Sequence, residues 1–167
     1  MKEIKRLTSI DHQDFININK AIRENIANPD WFMPFSEEDL QNTFDSDSTL
    51  VIYGAFIDNT LGAVSLFDTD KNEFCELANA CGVSADKGAE LGGSMVLPSF
   101  RGQNLMYEIN AKLIEVAKEM GLEYFVATVH PDNIASNSSV KKLGMKYVTT
   151  ITRGGGYLRN VYILKFN

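Results

Sequence analysis

Histidine and cysteine are scarce in this sequence, which limits the metal and disulfide chemistry open to it. The 167 residues include two histidines, His12 and His130, and two cysteines, Cys75 and Cys81. A structural zinc site needs four converging ligands, and these residues show no paired ligand spacing. A chain of this length can build its own core and needs no disulfide to fold. We therefore expect no metal cofactor and two reduced thiols, although a bridge between the cysteines remains the alternative.

Long apolar runs and clusters of positive charge are also missing. No run approaches the ~20 apolar residues that a membrane span requires. The charged start of the chain, residues 1–6, is not followed by the apolar segment of a signal peptide. Sixteen basic residues stand against 22 acidic ones, for a net charge of −6. We expect a cytoplasmic protein with no nucleic-acid or membrane partner. The charge suits a cationic or amine substrate, although it would also serve solubility alone.

The remaining composition is that of an ordinary globular protein. Hydrophobic residues make up 44% of the chain and charged residues 23%, close to the average for folded domains. The length fits one domain, and no repeat, low-complexity tract or long linker interrupts it. The sequence therefore predicts a single domain over residues 1–167.

Helical and strand patterns alternate along the chain. The predicted elements are a strand at 4–7, helices beginning at 11 and 36, a hairpin of 50–57 and 61–67, a strand at 90–97, a helix from 105, a strand at 124–129, a helix at 133–142, and strands at 145–152 and 157–166. The segment 68–88 is less readable and contains only a short helical pattern around 74–78. This order predicts a mixed α/β sandwich around one central sheet.

The helix that follows residue 102 has the clearest pattern in the chain. Its apolar residues recur at steps of four, four, three and four, and they are Leu105, Ile109, Leu113, Val116 and Met120. Charged residues occupy the opposite side, so the helix is amphipathic and should pack on a sheet. Gly121 is a suitable residue to end it.

The segment that joins the strand to this helix, residues 98–104, is a candidate anion site. The first turn of a helix leaves backbone amides unpaired, and these amides carry partial positive charge along the axis. Phosphate is a frequent ligand at such an end. Gly102 permits close approach to the backbone, and Arg101 adds a positive charge. The alternative is a plain surface turn that happens to contain an arginine.

Two sequence blocks resemble the GNAT superfamily of acyl-CoA-dependent N-acyltransferases. The first is Val96-x-Pro98-x-x-Arg101-Gly102-x-x-Leu105 before a long amphipathic helix. It is similar to the family's cofactor signature, which is Gln or Arg, two residues, Gly, one residue, and then Gly or Ala.

The second block runs from 129 to 145. It contains a strand-end Asn133, a helix, and the close Lys142-Leu143-Gly144. The step of eleven positions from Asn133 to Gly144 matches the usual family spacing, and the two blocks stand in the expected order. With the N-terminal helices and the hairpin, the resemblance covers nearly the whole chain.

The resemblance implies an α/β (α+β) fold with a GNAT-like mixed central sheet of about six to seven strands, splayed in the middle, with helices on both faces. It also implies acetyl-CoA as co-substrate. The backbone of Met95, Val96 and Leu97 would pair with the pantetheine arm, and Asn133 would bond the cofactor or order the adjacent loop. Gly92-Gly93 would form the bulge beside the splay. The pyrophosphate would bind backbone amides of Arg101, Gly102, Gln103, Asn104, Leu105 and Met106.

Three residues depart from the family pattern. Asn104 and Met106 occupy the two small-residue positions of the signature. Asparagine adopts left-handed backbone angles more readily than most residues, whereas Met106 must direct its side chain away from the phosphates. Val140 stands where many members have a tyrosine that protonates the departing thiolate. A thiol pKa near 8.5 makes the thiolate a tolerable leaving group without that acid.

Two residues are candidates for proton transfer during attack of an amine on the thioester. Glu90 begins the strand that leads to the cofactor, eleven residues before Arg101, where some family members keep a glutamate as general base. His130 follows a buried strand close to Asn133 and could act as a base or a substrate contact. Each could instead be structural, Glu90 as a solvated strand-end residue and His130 as an ordinary packed histidine.

Four aromatic residues are candidates for the acceptor pocket. Trp31 and Phe32 lie between the first two helices, a region that covers the splay in the family. Tyr147 and Tyr157 lie on the last two strands, on either side of a glycine-rich loop at 154–156 that could form a flap. All four could equally serve only as packing residues.

The resemblance predicts an N-acetyltransferase that moves an acetyl group to a primary amine of a small molecule or peptide, by direct attack in a ternary complex. A non-catalytic acyl-CoA sensor or scaffold is the alternative, and Val140 is the residue that favours it. Another phosphate-binding α/β domain would need a Gly-x-x-x-x-Gly-Lys-Ser/Thr loop or a Gly-x-Gly-x-x-Gly turn, and neither occurs. An exposed final strand could also allow a homodimer.

Overall fold

A computed structural model describes all 167 residues, Met1–Asn167. Five α-helices and one seven-stranded sheet form the structure. The strands are β1 (Lys2–Arg6), β2 (Leu50–Ile57), β3 (Thr60–Asp68), β4 (Gly88–Val96), β5 (Tyr124–Val129), β6 (Lys146–Arg153) and β7 (Tyr157–Lys165). The helices are α1 (His12–Asn25), α2 (Glu37–Asn42), α3 (Lys71–Ala80), α4 (Leu105–Glu119) and α5 (Ile134–Lys142).

The sheet has the order β1-β2-β3-β4-β5-β7-β6 and is mixed. Only β4 and β5 are parallel neighbours, because α4 crosses over the sheet between them. The β2–β3 hairpin turns at Asp58 and Asn59, whose φ angles are 47° and 66°. Short polar side chains tolerate this left-handed region. The predicted mixed sheet of six to seven strands is confirmed.

Helices cover both faces of the sheet, as predicted. Phe15 and Ile18 of α1 pack on one face with Ile52, and Phe74 of α3 packs farther along the same face. On the other face, α4 contributes Leu105, Ile109, Leu113 and Ala117 to the largest buried cluster, and α5 packs beside it. Alternating residues of the central strands supply both clusters, which explains why these strands are almost continuously apolar.

Three details differ from the sequence-based expectations. The helix expected around 74–78 is longer, because Asp70 caps it by accepting a hydrogen bond from the Asn72 amide. Met120 completes the periodic pattern of α4 but is exposed, since it lies at the end of the helix. The final strand is not an edge strand, because β6 folds back beside β7; the sheet edges are β1 and β6. No helix is long and apolar enough to cross a membrane.

Candidate active site

A gap between β4 and β5 opens the middle of the sheet. The two strands pair only over Gly88–Glu90 and Tyr124–Val126, and then separate. A cavity of about 680 Å³ lies at the gap and is lined by residues of both strands and of α4 and α5. Its size suits a small-molecule ligand. The splay that the family resemblance implied is therefore present.

A bulge in β4 accompanies the separation of the strands. Val64 of β3 pairs with Met95 of β4, whereas Leu66 pairs with Gly92, so the register shifts between these two pairs. Gly93 has φ +58°, and a Cβ atom there would lie 2.7 Å from Leu66 Cδ2. Both the backbone angle and the contact therefore require glycine. The bulge predicted at Gly92-Gly93 is confirmed.

The segment Met95–Leu97 keeps one backbone edge free. Met95 pairs with Val64 of β3, and the Leu97 amide donates to the Gly62 carbonyl at 2.9 Å. The opposite edge faces β5 but has no strand partner, because pairing with β5 stopped at Glu90. Met95 as a whole is only 1% exposed, whereas Val96 and Leu97 are half-buried, so a ligand could reach this edge chiefly at Val96 and Leu97. An extended amide-bearing ligand could pair with this edge.

Six consecutive backbone amides at the start of α4, those of residues 102–107, donate no hydrogen bond within the protein. Gly102 and Asn104 have φ angles of 76° and 61°. Asn104 caps the helix in the left-handed conformation, as its residue type allows. Its side chain accepts from Lys142 Nζ at 2.7 Å, which leaves the amides free. Unpaired amides at a helix N-terminus are an arrangement that can bind an anion.

One residue of the predicted phosphate loop, Arg101, is placed differently from the expectation. The Arg101 amide donates to the Pro98 carbonyl at 3.3 Å and is therefore not free, while its exposed side chain has no ion-pair partner. Met106 is half-buried and lines the cavity. The free amides thus begin at Gly102, one residue later than predicted, and extend to Tyr107.

An asparagine that the sequence analysis missed connects β5, α5 and β7. Asn137 is 8% exposed and donates to the His130 and Asn133 carbonyls at 2.9 and 2.8 Å. Its side-chain oxygen accepts from Tyr162 Oη at 2.6 Å and from Asn160 Nδ2 at 3.1 Å. Asn133 lines the cavity and caps α5 by accepting from the Ser136 amide. Asn137 therefore fixes the strand-end turn that presents Asn133.

We expect Asn137→Ala to lower the free energy of unfolding by about 2–4 kcal/mol, because it breaks several hydrogen bonds and leaves the buried Tyr162 hydroxyl without its acceptor. Tyr162→Phe, which removes only the hydroxyl, should cost about 1 kcal/mol. Urea unfolding of both variants measures the difference. Equal losses would show that Asn137 does not organise the turn.

Glu90 lies at the closed end of the gap, on the sheet face opposite α4. It is the last residue of β4 that pairs with β5, and its carboxylate lines the cavity. Arg153 at the end of β6 holds it with two contacts, Nη1–Oε1 at 2.6 Å and Nη2–Oε2 at 3.4 Å. The same guanidinium donates to the Glu73 carbonyl at 3.0 Å. The candidate base is therefore fixed in position rather than solvated.

Two opposing effects set the pKa of Glu90. Burial raises the pKa above the usual range of a carboxyl, and the Arg153 guanidinium opposes part of the rise. The carboxylates of Asp68 and Glu73 add to it. A carboxylate whose pKa is raised is a stronger base than one in water, which suits general-base chemistry near neutral pH.

The structure does not bring His130 and two of the predicted acceptor residues to the cavity. His130 accepts from the Asp132 amide through Nδ1 at 3.1 Å, so this nitrogen belongs to the turn after β5. Tyr147 is 54% exposed on edge strand β6, and its hydroxyl bonds to Thr150. Tyr157 does not line the cavity but lies against Arg159, which does. The pairing of the strands determines where the two tyrosines lie, and the type of side chain alone does not predict it.

Trp31, Phe32 and Val140 do line the cavity. Trp31 lies in a helical turn between α1 and α2. Val140 projects from α5, so the side chain at the family's tyrosine position faces the cavity but carries no hydroxyl.

Arg153, Arg159 and Asn110 also line the cavity and were not predicted from the sequence. None of them belongs to a motif or a spacing pattern that would mark it in the sequence. The only feature of the sequence that pointed to any of them was a polar residue beside the apolar stripe of α4, and this feature applied to Asn110 alone.

A family model described as the acetyltransferase (GNAT) domain matches residues 4–146. Among solved structures, the chain is similar to an N-acetyltransferase from Staphylococcus aureus Mu50, with a TM-score of 0.72, 17% identity, and coverage of 99% of this chain and 98% of that one. It is also similar to yncA, a putative acetyltransferase from Salmonella typhimurium with its cofactor acetyl-CoA, with a TM-score of 0.75, 15% identity, and coverage of 100% and 95%.

A third similar structure is the PaiA N-acetyltransferase from Thermoplasma acidophilum in complex with coenzyme A. Its TM-score is 0.68 and its identity 17%, and the alignment covers 99% of each chain. No curated protein sequence matches the chain. At these identities the solved structures establish the fold, and the family match establishes the family.

Proposed function

The chain belongs to the GNAT acetyltransferase family, and we propose that it transfers the acetyl group of acetyl-CoA to a primary amine of a small molecule or peptide. The observation that carries this proposal is the row of six free amides, residues 102–107, beside a gap in the sheet. The amides offer donors for a pyrophosphate, and the gap offers a path to the opposite face of the sheet. The two similar structures with coenzyme A or acetyl-CoA support the same ligand.

The polar groups around the gap fit the pantetheine arm of acetyl-CoA. The free edge of Met95–Leu97 would pair with its amides, as an added strand would. The Asn110 side-chain oxygen is buried without a hydrogen-bond partner and belongs to a residue that lines the cavity. A buried acceptor without a donor costs free energy. An amide N–H of the arm would satisfy it.

The reaction that we propose is direct transfer in a ternary complex. Acetyl-CoA supplies a thioester whose carbonyl carbon is attacked by the nitrogen of the acceptor. A C–N bond forms, the C–S bond breaks, and the thiolate leaves with the electron pair. The nitrogen carries a positive charge once the C–N bond has formed, and it loses its second proton to water or to the released thiolate. Val140 offers no proton, so the thiolate departs unassisted, which its low basicity allows. The protein contributes chiefly by holding the two substrates together in the gap.

We assign the proton that the acceptor must lose to Glu90. An amine that arrives as an ammonium ion cannot attack until it gives up a proton. Glu90 lines the acceptor side of the cavity, and its pKa is raised by burial. Arg153 holds both carboxylate oxygens, which fixes the base in position. The proton passes to Glu90 directly or through one water molecule.

Thermal unfolding with and without acetyl-CoA tests this function. Ligand at about 100 times its dissociation constant adds roughly 2.7 kcal/mol of stability, which corresponds to a rise of about 5–10 °C in Tm for a domain of this size. Acetylpantetheine, which keeps the arm but lacks the pyrophosphate, should give a much smaller shift at the same concentration. The absence of a shift with acetyl-CoA would contradict the cofactor assignment.

A non-catalytic acyl-CoA sensor is the second candidate function, because Val140 provides no general acid at the cavity. A sensor would show the same thermal shift. It would release no coenzyme A thiol with any amine, whereas the proposed enzyme would release one thiol for each amine acetylated.

A further inference from the structure

Arg159 of β7 is a buried cation without a carboxylate partner. Its side chain is 2% exposed and lines the cavity. Its guanidinium donates to two backbone carbonyls, from Nη1 to Leu158 at 2.8 Å and from Nη2 to Asp30 at 2.7 Å. No carboxylate oxygen lies within 4.0 Å of it. A guanidinium has five donors, so most of its hydrogen-bonding capacity remains unused.

Arg153, the other arginine at this cavity, differs from Arg159 because it has a counterion. Arg153 faces the same cavity, and Glu90 neutralises its charge. Arg159 forms no such ion pair. Burial and then the charge of Arg153 lower its pKa, while Tyr157 and the Asp30 carboxylate, beyond ion-pair distance, oppose only part of that shift. A buried charge without a counterion is costly. An anion bound in the cavity would remove that cost.

A second unsatisfied donor belongs to the same cavity. The indole N–H of Trp31 is buried and has no acceptor, and Trp31 lines the same cavity. It directly follows Asp30, whose carbonyl holds the Arg159 guanidinium. The ring of Tyr157 lies 5.2 Å from that guanidinium and restricts its movement. The site therefore presents a fixed cation and a neutral donor, and both require an oxygen acceptor.

We propose that Arg159 and Trp31 bind a carboxylate of the acceptor, so that the substrate is an amino carboxylate such as a free amino acid. This inference rests on the proposed acetyl transfer and adds the chemical class of the acceptor. A planar guanidinium matches a carboxylate in two parallel hydrogen bonds. The carboxylates of Asp68, Glu73 and Glu90 line the same cavity and suit the ammonium end of such a molecule. The cavity thus carries both charges that an amino acid requires.

Matched sets of acceptors test the proposal. Each set contains an L-amino acid, its α-amide and the amine that lacks the carboxyl group. One set is prepared for each of the twenty side chains, and the release of coenzyme A thiol from acetyl-CoA is measured. In the most active set, the kcat/KM of the acid should be about tenfold or more above that of the amide and the amine, the difference that one or two charged hydrogen bonds would give. Most of this difference should come from a lower KM for the acid. Arg159→Gln should remove this preference, so that the kcat/KM of the acid falls to that of the amide measured with the same variant.

Trp31→Phe provides a second variant in case Arg159→Gln does not fold. It keeps the ring and Arg159 and removes only the indole N–H, so it should lower the preference for the acid by a smaller factor. Thermal stabilisation by acetyl-CoA is measured for each variant, because the cofactor site does not include these residues. A loss of acid turnover with that stabilisation retained assigns the effect to the acceptor site.

Several outcomes would overturn the inference. Acetylation of amides or amines as efficient as that of acids would do so, as would retention of the parent's preference in both variants. If acetyl-CoA binds but no amino acid is acetylated, the cofactor site stands and the acceptor class is wrong. If acetyl-CoA does not stabilise the parent protein, the proposed function itself is wrong, and this inference fails with it.

Discussion

Replacing Glu90 with glutamine is expected to lower kcat by about 10²- to 10⁴-fold, the range that a positioned general base contributes. Glutamine keeps the size of the side chain and a hydrogen-bonding oxygen for Arg153, but it cannot accept the ammonium proton. Binding of acetyl-CoA should be unchanged, because Glu90 lies at the closed end of the gap and the free amides lie at the start of α4. Steady-state kinetics with the most active acceptor would measure the loss.

The pH profile provides the specific readout for this role. In the parent protein, kcat should fall as the pH drops through the pKa of Glu90, because the protonated carboxyl cannot accept a further proton. Since burial raises this pKa, the fall should begin at a higher pH than for an ordinary glutamate in water. Glu90→Gln should lack this acid limb altogether.

A double variant separates loss of the base from loss of the ion pair. Glu90→Gln leaves Arg153 without its counterion, and an unpaired buried charge destabilises the fold. Glu90→Gln combined with Arg153→Gln removes both charges and should recover stability without recovering activity. Normal activity in the double variant, or an unchanged acid limb in the single one, would exclude Glu90 as the base.

The fold was predictable from the sequence because its signals are local. The apolar spacing of α4, the Asp58-Asn59 turn and the continuous apolar run of β5 each reflect a preference that a short segment expresses by itself. The segment before β4 was less readable, because α3 is a short helix whose buried residues, such as Phe74, are recognised only against the sheet. Tertiary packing stabilises such a helix more than its own sequence does.

The candidate site divides in the same way. The glycine bulge and the phosphate loop depend on backbone conformations that Gly93, Gly102 and Asn104 favour locally, so the sequence predicted them. The pairing of Glu90 with Arg153 joins residues 63 positions apart. Arg159 similarly contacts Asp30 across 129 positions. Partners so far apart in the sequence are brought together by the order of the strands in the sheet. The same order places Tyr147 on an edge strand, away from the cavity.

The affinity for acetyl-CoA should depend on the charge next to the free amides, and Gly102 is the position at which to test this. A Cβ atom at Gly102 would meet nothing within 4 Å, although its φ of +76° strains most side chains. Asparagine and aspartate have the same size and both tolerate this conformation, so the two variants differ essentially in one charge. We expect Gly102→Asn to bind acetyl-CoA within a few-fold of the parent.

Gly102→Asp should bind acetyl-CoA about 100-fold more weakly than Gly102→Asn, because its carboxylate repels the pyrophosphate and competes for the same amides. Titration calorimetry at low ionic strength measures both affinities, and added salt should narrow the gap between them by screening the repulsion. The aspartate should not destabilise the protein without ligand, since an acidic residue is favourable near a helix N-terminus. Equal affinities for the two variants would mean that the pyrophosphate binds elsewhere, and the free amides of residues 102–107 would then need another ligand.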